Sequence, residues 1–214
     1  PWRISLQDLR ETLGLRELHV INDFAAAAHG TLHLDQTESR LLTPGVSVAE
    51  AGPALVVGPG TGLGAAVCIP HPRGTVVLPT EAGMTAFAPG TEREVEILRW
   101  MQRHGSRHVS TEQLVSGPGL VNLYQALSEL DCTRPLLRAP AAITEAARVG
   151  DPTSLEAVLT FCGLLGSVIG DRHGIVRRLG LDLVGAQGLV MRQDRALRRF
   201  AHDRLNGAAQ AHER

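Results

Sequence analysis

Four glycines on alternate positions, Gly58, Gly60, Gly62 and Gly64, separated only by Pro59, Thr61 and Leu63, constrain this chain more than any other stretch. Without Cβ atoms such a run lets backbone N–H groups turn toward an anion. The apolar, β-branched stretch Ala54 to Val57 precedes it, and Ala65 to Ile69 follows before Pro70. That following stretch is too short for a helix and rich in strand formers, which excludes the strand–turn–helix dinucleotide fingerprint; no Gly-Lys-Ser/Thr completes a Walker loop. What remains is a glycine turn between two antiparallel strands, either a cradle for phosphate or a purely structural hairpin. Thr75 to Leu78 adds a third strand and makes a meander.

Other residues stand where chemistry is common. Leu18, Val20 and Ile21 predict a strand ending at Asn22-Asp23, ahead of a helix that starts in the alanine-rich segment Phe24 to His29. A carboxylate at such a junction can accept a hydroxyl proton while the amide beside it bonds a polyol; an Asx pair there is also an ordinary helix cap. Glu81 follows the third strand beside a glycine, and Glu112 precedes Ser116-Gly117-Pro118-Gly119. Each could clamp vicinal hydroxyls, or be a solvated acid or, for Glu112, a first-turn residue favoured by the helix dipole.

Caps set the helical elements. Ser5 with Asp8, Leu6, Leu9 and Leu13, then Gly14, predict a short helix. Thr91 with Glu94 and Ser110 with Gln113 are capping boxes, the first opening a helix that stops at Gly105. Ser116 to Gly119 opens another helix, and Asp151-Pro152 caps the last clear one, where Gly163, Gly166 and Gly170 allow close backbone approach. Residues 31–53 read as a loop where a lobe boundary could fall.

Composition narrows the function. The 214 residues carry a formal charge of −1 and every basic residue is Arg, so no polybasic nucleic-acid or membrane footprint is expected. Cys68, Cys132 and Cys162 are odd in number and far apart, which argues against a disulfide framework or zinc knuckle and fits a reducing cytoplasm. The nine histidines show no ligand spacing, so no protein metal site is expected, and no GxSxG elbow appears. Ala157 to Gly170 is shorter than the roughly 20 residues that cross a bilayer and reads as a core helix. No secretion signal is expected, and Pro1 reads as a start partway through a longer product.

Taken in order, these motifs resemble the bacterial glucokinase family, ATP-dependent glucose kinases of the hexokinase and actin-like superfamily. The resemblance is carried by His19-Val20-Ile21-Asn22-Asp23-Phe24, Gly58 to Gly64, Leu78-Pro79-Thr80-Glu81-Ala82-Gly83-Met84 with Phe87-Ala88-Pro89, His108-Val109-Ser110, and Ser116 to Tyr124. It covers roughly residues 1 to 170 and implies an α/β, actin-like (ribonuclease H-like) sugar-kinase fold. Residues 1–33 would be a remnant of the small lobe and 34–214 the large lobe, with a divergent Arg-rich tail from about 171. That tail reads as divergent sequence or as a shifted reading frame, and Gly185 to Gly188 falls near the family's adenosine-site Gly-Gly. The resemblance implies Asp23 as the base on the sugar 6-hydroxyl, and Asn22, Glu81 and Glu112 as ligands of the ring hydroxyls. Gly58, Gly60, Thr61, Gly62 and Gly64 would bind ATP phosphates with Mg²⁺. A cytoplasmic homodimer would follow.

Two departures shape the expectation. The family's first phosphate loop, Asp-x-Gly-Gly-Thr, has no counterpart in these residues, so the chain alone is expected to turn over poorly. Met84 stands where the family has a sugar-contacting histidine; losing that hydrogen bond costs about 0.5–1.5 kcal/mol. A sugar-binding regulatory pseudokinase is the alternative. A transcriptional regulator of the related repressor-kinase family lacks support, because neither a helix-turn-helix nor that family's cysteine motif occurs in these residues.

Overall fold

A computed structural model describes residues 4–34, 37–38 and 53–178, the last seven by backbone alone. Three strands, β1 (Ala54–Pro59), β2 (Leu63–Ile69) and β3 (Val76–Thr80), form an antiparallel sheet in the order β1-β2-β3, as the meander predicts. Val56 faces Ala66, Val57 faces Ala65 and Gly58 faces Gly64. Alternation of side chains then gives the sheet two different faces.

One face carries a helix. Asn22 caps α2 (Asp23–Thr31), its Oδ1 accepting from the N–H groups of Phe24 at 2.9 Å and Ala25 at 3.1 Å. The short side chains of α2 let it lie close to the sheet, where Ala28, Ala66 and Cys68 are buried together with Phe24, Ala54, Val56 and Val77 packed around them.

The larger core lies on the other face and is helical. It joins Leu63 and Val57 to α3 (Glu92–Arg103), α4 (Gly117–Leu130), α5 (Pro140–Arg148) and α6 (Pro152–Arg178). Ile97, Leu114, Leu123, Leu127 and Ile143 are its fully buried centre. The capping signals hold: Thr91 Oγ1 accepts from Glu94 N, and Ser110 with Gln113 closes a box around a 3-10 turn over Thr111–Gln113. The return arm of the first box goes one residue further back, from Gly90 N to Glu94 Oε2. Asp151 Oδ2 accepts from Ser154 N and opens α6.

Two expectations change. The strand over Leu18 to Ile21 does not form among the described residues: the segment pairs with no other strand, and Val20 and Ile21 are 68% and 57% exposed. An extended segment with no ladder to join has nothing to satisfy its backbone but water. α1 (Leu6–Thr12) forms under its Ser5 cap yet buries none of its residues. α5 is an unexpected helix, entered at Pro140 and ended before Gly150, whose φ is +95°.

α6 outruns the expected core helix and continues past Gly163, Gly166 and Gly170. Its stretch Pro152–Asp171 is long and apolar enough to span a bilayer by length and composition, while Ala157, Val158, Cys162, Leu164 and Leu165 are buried in the helical core. The three cysteines are unpaired, Cys68 and Cys162 buried and Cys132 exposed. Gly185 to Gly188, most of the Arg-rich tail and much of the expected loop over 31–53 lie outside the described residues.

Candidate active site

The β1–β2 turn is the point on which several distant segments converge. On the sheet face that carries α2, Gly58 and Gly64 sit opposite one another beneath the Phe24 ring. A Cβ on Gly58 would stand 2.9 Å from Phe24 Cε2, and one on Gly64 would run into Cγ and Cδ2. These two glycines are therefore absent side chains that seat an aromatic ring, which no backbone requirement explains. Because Asp23 adjoins Phe24, its Cα lies about 3.8 Å from that of Phe24. The start of α2, with Asn22 and Asp23, is thus fastened at the foot of the hairpin.

The turn itself is open. Gly60 N donates to Gly62 O at 2.7 Å, which closes the loop, and a Cβ on Gly60 would meet nothing within 4 Å. Thr61 is exposed, and among the described residues the N–H groups of Thr61 and Gly62 have no hydrogen-bond partner. Two unpaired donors on a glycine turn are what an anionic oxygen needs.

Two straps hold this turn. Gly117 N, at the start of α4, donates to Gly60 O at 2.8 Å. Leu63 N donates to Glu112 Oε2 at 2.8 Å across 49 positions of sequence. Glu112 is half-buried, so it is no solvated surface acid. Glu81 is exposed at the head of a 3-10 turn over Ala82–Met84, and Gly83 of that turn is pressed against the hairpin: a Cβ there would stand 2.6 Å from Leu63 O and 3.2 Å from Glu112 Oε2. Met84 is exposed, its carbonyl 3.4 Å from His108 Nε2.

The side chains of Asn22 and Asp23 stand in solvent. Asn22 Oδ1 is committed to the helix cap, while its Nδ2 has no partner among the described residues. Asp23 Oδ1 accepts from Phe24 N at 2.8 Å, which fixes the carboxylate at the helix start, and Oδ2 has no hydrogen-bond partner among the described residues. The fold therefore brings the neighbourhoods of Asn22-Asp23, Gly58–Gly64, Glu81 and Glu112 to one hairpin. Sequence reasoning missed the seat of Phe24 and the Gly117 strap. The size match between one ring and two glycines could have been sought as a small–large pairing, but only once the register was known.

The antiparallel sheet with α2 on one face and a helical core on the other is the α/β, actin-like sugar-kinase fold. The comparisons narrow it. Residues 1–190 match the family model for glucokinase. A glucokinase-like protein of Xylella fastidiosa is 42% identical over 191 residues, 89% of this chain and 54% of that protein. The glucokinase of Paramagnetospirillum magneticum is 41% identical over 193 residues, 89% of this chain and 57% of that protein. Among solved structures, a glucokinase from an Antarctic psychrotroph superposes with a TM-score of 0.70 at 30% identity, over 84% of this chain and 55% of that one. The chain belongs to the glucokinase family, and it spans about half the length of the relatives it matches.

Proposed function

We propose that this chain carries glucokinase-type phosphoryl transfer from ATP to the 6-hydroxyl of glucose, with low turnover in the chain alone because the family's Asp-x-Gly-Gly-Thr loop has no counterpart in these residues. The observation that carries the reading is the Phe24 ring seated on Gly58 and Gly64, which ties an exposed carboxylate to a turn with two unpaired N–H groups. Family membership supplies the substrate class. In the proposed reaction Asp23 Oδ2 takes the proton of the sugar 6-hydroxyl, the oxygen bonds to the γ-phosphorus, and the bond to the β-phosphate oxygen breaks to release ADP. Asn22, Glu81 and Glu112 hold the ring hydroxyls, and Gly58, Gly60, Thr61, Gly62 and Gly64 form the phosphate turn, with the Thr61 and Gly62 N–H groups as its donors. In this reading Mg²⁺ would arrive with the nucleotide. Bound there, Mg²⁺ would neutralise charge developing on the phosphates. Positioning supplies most of the acceleration.

The same reading assigns residues 1–33 to the small lobe and the remainder to the large lobe. It carries a cytoplasmic location, a homodimer, and no nucleic-acid or membrane partner.

Titration calorimetry with glucose and with ATP, and a coupled assay for the 6-phosphate, test the proposal. Asp23→Asn is expected to lower turnover by about 10²–10⁴-fold, the usual worth of a general base, while glucose affinity stays within a few-fold. Glucose binding without ATP binding or turnover would make the chain a sugar-binding pseudokinase. Binding of neither ligand would overturn both.

A further inference from the structure

Glu112 is walled in by the hairpin it touches. Its Oε2 accepts the Leu63 N–H at 2.8 Å and lies 2.5 Å from where a Cβ on Gly62 would stand and 3.2 Å from one on Gly83. Neither glycine has a positive φ; Gly62 makes room for the carboxylate, while Gly83 makes room first for Leu63, whose carbonyl oxygen would stand 2.6 Å from its Cβ, and then for the carboxylate. The backbone beneath Glu112 is itself anchored. Thr111 N donates to Thr85 O at 2.8 Å, Ser110 N to Gln113 Oε1 at 2.9 Å, and Gly119 N to Ser116 Oγ at 3.0 Å. The single stretch from Ser110 to Gly119 thus grips the hairpin twice, by the Glu112 side chain at Leu63 and by the Gly117 amide at Gly60.

We propose that Glu112 is a positioning residue for the glycine hairpin, so that a hydroxyl bound to its carboxylate is felt at the turn through the Leu63 N–H. The identity of that hydroxyl as a sugar's, and of the turn's ligand as a nucleotide phosphate, rests on the kinase reading above; the grip does not. A carboxylate shared between two donors changes what it gives each. Sugar and nucleotide affinities are then coupled, and the coupling is reciprocal.

Amide exchange of Leu63, followed by NMR on the unliganded 214-residue chain, tests the grip without any ligand. In Glu112→Ala the Leu63 amide is expected to exchange about tenfold or more faster, as the loss of a hydrogen bond to a charged group implies. Glu112→Gln keeps an acceptor oxygen and returns exchange toward wild type. Gly62→Ala keeps Glu112 but crowds its carboxylate, and is expected to exchange fast. Unchanged exchange in Glu112→Ala overturns the grip; if that variant does not fold, wild-type exchange in Gly62→Ala overturns it. Glucose is then added to wild type, where it is expected to shift Leu63 exchange, an effect lost in Glu112→Ala. Glucose that binds without that shift overturns the coupling. Glucose that does not bind overturns the kinase reading instead, and the grip is still decided by the unliganded comparison.

Discussion

Phe24 shows how one side chain can position several others. Its ring rests on the opposed pair Gly58 and Gly64, so one contact joins both strands of the hairpin to the start of a helix. Gly64→Ala places a methyl group in the space of the ring and is expected to cost about 1–3 kcal/mol, the usual penalty for overpacking. In a Phe24→Ala background the same substitution should cost much less, and urea denaturation of the four chains gives the coupling directly. Gly60→Ala is the control: its Cβ meets nothing within 4 Å, so stability should change by less than about 0.5 kcal/mol. The sequence placed all four glycines in one phosphate motif. It could not divide them into two that seat a ring and two that lie in the turn, because that division depends on which residues oppose one another across the strands.

Helices α3, α4 and α6 meet at Arg93. Its Nη2 lies 2.7 Å from both carboxylate oxygens of Asp131 at the end of α4, Nε donates to Glu156 of α6 at 2.9 Å, and Nη1 to Glu96 at 3.1 Å. The hydrogen bonds to Glu156 first and Asp131 second hold the guanidinium pKa above its already high ordinary value. The cluster is partly exposed, so solvent screening reduces its worth. Arg93→Ala leaves three carboxylates facing one another and is expected to cost about 1–2 kcal/mol. Arg93→Lys should recover less than half, since one ammonium nitrogen cannot reach Asp131, Glu156 and Glu96 as the three guanidinium nitrogens do. Repeating the denaturation at about 1 M salt, where the Debye length falls to about 3 Å, should shrink both losses. Caps and periodicity announced α1, α3, α4 and α6, but α5 lacked a side-chain cap and went unread. Partners such as Arg93 with Asp131, 38 residues away, are invisible to any local pattern.

At the scale of the whole molecule, the helical core also sets how stability responds to alkali. Burial pushes the Cys162 thiol up to about 11 from an ordinary 9.0, and raises that of Cys68 in the same direction. A raised folded-state pKa means the unfolded chain releases its proton first. Cys162 therefore contributes full stability below about pH 9 and loses it as pH rises through about 11, a loss on the order of 2–3 kcal/mol. Cys162→Ala should flatten the fall in urea midpoint between these pH values, and a parallel slope in wild type and variant would refute the assignment. By itself, the sequence determined the meander, most helix starts and the types of residue able to do chemistry, because caps, turn glycines and β-branched runs act over a few neighbouring positions. Tertiary structure alone decided that Leu18 to Ile21 pairs with no strand among the described residues, that Glu112 grips Leu63 and that Phe24 covers two glycines. Each of these depends on what space and what partners a residue finds across the fold, and a local pattern holds no record of either.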